Sequence, residues 1–84
     1  MLSRTEIIEK LKDILVSADE KATEKINNCS EDANLSTDLG LSSIGMLYMV
    51  ISIEETFNIR FEDVSIADFV TLKDVVDYIC QRLS

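Results

Sequence analysis

A chain of 84 residues, 46% hydrophobic and 29% charged, is long enough for one small core and too apolar to stay disordered; with 2 glycines and no proline it lacks the punctuation of a many-turned β fold. Its 16 acidic residues against 8 basic ones leave a net charge of −8, which argues against nucleic acid and anionic membrane as partners and for basic protein surfaces. Histidine is absent, so the commonest general base and the usual activator of a serine are missing, and the chain is not expected to be an enzyme.

In chain order, residues 4–16 place Ile7, Ile8, Leu11, Ile14 and Leu15 on one face, and Ser3 with Glu6 forms a capping-box pair, which predicts a helix. From 17 to 42 the periodicity dissolves. Ala22 and Ile26 fit a short helical extension; the rest, rich in Asn, Ser, Asp and Thr, reads as a long loop that Leu35, Leu39 and Leu41 pin to a core. Asp32, Asn34, Ser36 and Asp38 alternate as in a calcium loop, but Thr37 stands where that loop needs glycine and Ser43 where it needs glutamate, so no metal is expected.

The stretch that follows, SIGMLYMVISIEETF, is the most apolar in the chain. Met46, Val50, Ile53 and Phe57 form one helical stripe and Ile44, Leu47 and Ile51 a second, in a run too long for a typical strand. Such a helix is expected in the middle of a bundle. Asn58 suits the left-handed position that ends it. Residues 61–69 are irregular, with one short helix expected at 63–69. The last helix carries Leu72, Val75, Val76, Ile79, Cys80 and Leu83 on its apolar face, with Thr71 as cap and Asp74 in its first turn. Cys80 is expected in the core, and Cys29 as a bystander in the loop. There is no apolar leader and no membrane-length run, so a cytoplasmic protein without membrane insertion is expected. The expected fold is all-α: a small four-helix bundle of three longer helices and one short one, with a long loop between the first two long helices.

Ser42 and Ser43 stand at the mouth of the apolar helix. A serine just before a helix accepts a hydrogen bond from a free backbone N–H. With Ser42 as that cap, Ser43 is the first helical residue, and a phosphate ester on it would meet free N–H groups and the positive end of the helix dipole. On spacing alone, two capping hydroxyls are the plainer reading and an attachment point the sharper one.

The run DLGLSSIGMLYMVISIEETFNIRF resembles the acyl carrier protein signature: Asp38, Leu39 and Gly40, then two residues, then Ser43 followed by Ile44. EETFNIRF is similar to the acidic pair, aromatic and turn that end that family's second helix, and TLKDVVDYI to the start of its last one. The resemblance covers essentially the whole chain and implies one carrier domain over 1–84. It implies a 4′-phosphopantetheine arm moved from coenzyme A onto Ser43 by a phosphopantetheinyl transferase. The arm's thiol would hold acyl, polyketide or aminoacyl cargo as a thioester for fatty acid, polyketide or related biosynthesis. Ile44 and Met46 would flank the arm, and Glu54 and Glu55 would meet acyl-loading and acyl-processing enzymes through basic docking surfaces. Ser42 stands where relatives usually have aspartate, and Gly45 and Tyr48 where carriers of primary fatty-acid synthesis have acids, which points to a specialised freestanding member. The reading from a different class is an unmodified helical module that binds a partner peptide.

Overall fold

Each long helix begins at a side-chain cap. Ser3 and Glu6 bond reciprocally at the start of α1 (Arg4–Ala18), Ser42 caps α3 (Ser43–Phe57), and Thr71 with Asp74 closes a second capping box on α4 (Leu72–Leu83). A short α2 (Thr23–Asn28) follows a single 3-10 turn at Glu20–Ala22, and another such turn spans Ile66–Asp68. α3 ends at Asn58, whose φ of 55° and ψ of 50° are left-handed and whose N–H donates to the Glu54 carbonyl. The computed structural model describes residues 2–62 and 64–84.

α1 lies against both α3 and α4, and α2 packs on α1. The core is built from Leu11 and Leu15 of α1, Met49 and Ile53 of α3, and Val76 and Ile79 of α4, each sealed from solvent. Burial of a side chain of this size contributes roughly 1.5–3 kcal/mol, so these contacts, rather than helix propensity, hold helices of 12 to 15 residues in place. Leu35, Leu39 and Leu41 are buried as the loop reading requires.

The four-helix, all-α expectation holds, with two differences of detail. The short fourth helix is α2, where Ala22 and Ile26 are both buried, and not the segment at 63–69. Of that segment, Asp63 lies outside the described residues, and the remainder forms only the turn at Ile66–Asp68, closed by Ser65 and Asp68. Phe69 is its one buried side chain, which is too little to fix further turns.

The second difference concerns α3. It buries Met46, Met49, Ile53 and Phe57, while Ile44, Leu47 and Ile51 face outward together with Tyr48. α2 is only 6 residues long and sits against α1, so it does not cover the outer side of α3. The helix is at the edge of the bundle rather than in its middle. Cys80 is half-buried at the margin of the core instead of inside it.

Candidate functional site

The loop that leads into α3 is organised by its own side chains. The Asn34 side-chain oxygen accepts from the N–H groups of Ser36 and Thr37, both at 2.9 Å, and the Asp38 carboxylate accepts from the Asn34 N–H at 2.8 Å. These acceptors, which the alternating acidic pattern placed in a calcium-loop register, are spent on backbone amides. The Leu35 N–H donates to the Val70 carbonyl at 2.9 Å and the Leu72 N–H to Ala33 at 3.0 Å, which ties the loop to the segment before α4. Gly40, at a φ of 71°, then turns the chain toward the helix.

At the helix mouth the two serines have different surroundings. Ser42 is extended, at φ −81° and ψ 172°, and its hydroxyl oxygen accepts from the Gly45 N–H at 3.1 Å. Ser43 is the first helical residue; it is exposed, and its hydroxyl makes no hydrogen bond among the described residues. The first helical backbone bond belongs to the Met46 N–H, which donates to the Ser42 carbonyl at 2.8 Å, so among the described residues the N–H groups of Ser43 and Ile44 stay open at the positive end of the dipole. Gly45 matters to this corner for a steric reason. A Cβ there would come within 2.9 Å of Leu41 Cδ1, so the glycine lets Leu41 close in beneath the serines.

Beside Ser43 lies a cavity of about 280 Å³. Leu41 and Met46 line one side, Ile66, Phe69 and Val70 the other, and among the described residues no charged side chain lines it. A larger groove, about 530 Å³, runs past Cys29, Asp38 and Leu39 without including Ser43. The Cys29 thiol there donates to the Ile26 carbonyl at 3.0 Å.

The residues singled out from the sequence fall in three places. Ser43 and Ile44 are together at the helix mouth, with Ile44 80% exposed. Met46 is buried and forms cavity wall, so it is no part of an outer contact surface; its place on the stripe with Ile53 and Phe57 turns it inward. Glu54 and Glu55 are three turns away, about 16 Å along the helix. They border a groove with Asn58 and Arg60, and one Glu54 oxygen already accepts from the Phe61 N–H at 3.0 Å. Sequence reasoning missed Ile66, Phe69 and Val70 as the far wall, because an irregular segment offers no period from which to read a face.

The chain matches the family described as "Phosphopantetheine attachment site" over residues 9–79. It is 35% identical over 78 residues to an acyl carrier protein of Aster yellows witches'-broom phytoplasma, covering 93% of this chain and 99% of that one. It is 32% identical over 83 residues to an acyl carrier protein of Thermotoga maritima, covering 99% of both. Its fold is similar, with a TM-score of 0.62 and 29% identity, to the solution structure of the apo doublet acyl carrier protein from prodigiosin biosynthesis, covering 92% of this chain and 38% of that longer one.

Proposed function

The chain belongs to the phosphopantetheine attachment site family, and from that premise we propose that Ser43 is the residue that bears the arm. The protein is a carrier and not an enzyme, and its cofactor is covalently attached 4′-phosphopantetheine. Once attached, the arm supplies a terminal thiol that holds acyl cargo as a thioester. The protein's partners are a phosphopantetheinyl transferase and acyl-processing enzymes.

The observation that carries the assignment is the difference between the adjacent serines. The Ser42 hydroxyl is engaged in capping α3, whereas the Ser43 hydroxyl is exposed, makes no hydrogen bond among the described residues and is next to the first N–H donors of the helix. That corner fits a phosphodiester: donors and a favourable dipole face it, and among the described residues no carboxylate lines the adjoining cavity. In the attachment, the Ser43 oxygen bonds to the phosphorus of coenzyme A that bears the pantetheine, adenosine 3′,5′-bisphosphate leaves, and the serine proton passes to a base on the transferase. The missing histidine is no obstacle, since the carrier need not activate its own hydroxyl.

The whole of 1–84 acts as one carrier domain in the cytoplasm, serving fatty acid, polyketide or related biosynthesis. Its acidic balance suits enzymes with basic docking surfaces, and Glu55, exposed at the end of α3, is a candidate contact. The test is intact mass after incubation with a broad-specificity transferase, magnesium and coenzyme A. One phosphopantetheine adduct is expected on the wild type and on Ser42→Ala, and none on Ser43→Ala. An adduct that persists on Ser43→Ala and vanishes on Ser42→Ala would move the site by one residue.

A further inference from the structure

α3 lacks the group that completes the caps of the other two long helices. In α1 the Ser3 hydroxyl accepts from the Glu6 N–H, and the Glu6 carboxylate accepts in return from the Ser3 N–H at 3.2 Å. Thr71 and Asp74 do the same in α4, with the returning bond at 3.0 Å. In α3 the corresponding third position is Gly45. Its N–H donates to the Ser42 hydroxyl, but it has no side chain to return the bond. Nor is there room for one, since a Cβ there would meet Leu41 Cδ1 at 2.9 Å. The first turn of α3 thus holds no acidic residue, and among the described residues the N–H groups of Ser42, Ser43 and Ile44 make no hydrogen bond.

We infer that the phosphodiester on Ser43 completes this half-empty capping box in place of the missing carboxylate, so that attachment of the arm fastens the first turn of α3 and raises the stability of the whole domain. The inference rests on the carrier reading and adds to it a consequence of the modification for the fold. Three observations carry it. Ser43 is the first helical residue, so an anion on its side chain lies within the turn where the dipole acts most strongly. Ser42, Ser43 and Ile44 are all exposed, so the phosphate meets their N–H groups without being buried. Repulsion from other anions is small there: no acidic residue stands between Asp38 and Glu54 in the chain, and the Asp38 carboxylate already accepts from the Asn34 N–H at 2.8 Å. The neutral Ser42 is what leaves the place vacant, because a carboxylate at that position would itself supply the charge. Met49 and Ile53 of α3 are sealed in the shared core, so a firmer first turn is felt in the unfolding of the whole chain.

Melting of the apo and the fully loaded protein would be compared at about pH 7, in about 0.05 and about 0.5 M NaCl. Loading the wild type is expected to raise the melting point by about 2–8 °C at the lower salt and by less than half as much at the higher, where the charge is screened. Amide exchange at Ser42 and Ile44 should slow on loading. Ser42→Asp brings an anion of its own to the helix mouth, so its apo form should melt above the wild type and its gain on loading should fall to about half or less. Ser42→Asn, the neutral counterpart, should keep the gain. Ser43→Asp carries a charge and takes no arm; it should melt above Ser43→Asn, which separates the charge from any packing of the arm. A wild type that melts no higher when loaded would overturn the inference. So would a gain that salt and Ser42→Asp leave intact, since the arm would then act through apolar contacts, and so would a Ser43→Asp that melts no higher than Ser43→Asn. Failure of the carrier reading looks different: the wild type then takes no adduct at all.

Discussion

Gly40 is where one residue decides the shape of the site. Its φ of 71° is left-handed, and its N–H donates to the Ser36 carbonyl at 3.1 Å, which closes the loop before the chain enters α3. No atom of the described residues crowds the place a Cβ would occupy, so the constraint is one of backbone conformation and not of space. Gly40→Ala is therefore expected to cost about 1–2 kcal/mol, seen as a melting point about 4–16 °C lower, and Gly40→Asn distinctly less. The sequence displayed this residue as part of Asp38-Leu39-Gly40, and Ser43 in register with it. What it did not display is why Gly45 is a glycine. That reason is a contact with Leu41, and it exists only once the loop has folded back against the first turn of the helix.

Among the elements, those with caps and a clear stripe, α1 and α4, were legible almost to the residue. α2 was faint because its 6 residues bury a single side chain, Ile26, so no period can emerge. α3 was legible as a helix but misleading as to place: two apolar stripes look alike in sequence, and only the arrangement of α1 and α4 determines which is covered. The connection from α3 to α4 was the least legible, since what orders it is distant in sequence. The Tyr78 hydroxyl donates to the Arg60 carbonyl at 3.0 Å and accepts from the Glu62 N–H at 3.1 Å, while its ring stacks on Phe61 at 4.8 Å and meets Phe69 edge-on at 5.6 Å. Because Phe69 belongs to the cavity wall beside Ser43, α4 helps to shape the site from behind. Tyr78→Phe keeps the ring and loses both bonds. It should cost about 1–2 kcal/mol in a denaturant titration and accelerate amide exchange at Glu62.

The two capping boxes give the helices a dependence on acid. The backbone N–H groups of Thr71 and Val70 hold the Asp74 carboxyl below its usual range, and the Ser3 N–H does the same for Glu6. In the unfolded chain both carboxyls return to ordinary values, so near pH 4 the unfolded state binds more protons than the folded one. Stability from these caps is complete at neutral pH and is lost as the pH falls below about 4, through the depressed values. Melting points between pH 7 and pH 3 should decline over that window. In Asp74→Asn, which cannot ionise there, the decline should be shallower from a lower starting point.

Over the whole molecule the charges work against the fold more than for it. Arg4 bridges three parts of the chain, pairing with Glu31 in the loop and with Asp77 on α4 at 2.8 Å, and Lys73 adds to Asp77 at 3.1 Å. All of these groups are substantially exposed, and exposed pairs contribute about 0–1 kcal/mol each. Against them stands an excess of 8 negative charges on a body with a radius of gyration of 11.6 Å. Many of these like charges lie within or near a Debye length at low salt, and they repel one another more in the folded state than in the expanded one. Added salt weakens both the pairs and the repulsion, and with a twofold excess of acidic residues the repulsion is the larger sum. Raising NaCl from about 0.02 to 0.3 M at pH 7 should therefore stabilise the protein by about 1 kcal/mol, a rise of about 4–8 °C in melting point. A melting point that falls over the same range would mean that the Arg4 cluster outweighs the net charge. In that case Arg4→Gln would remove the salt response, whereas if repulsion dominates, the same variant should enlarge it.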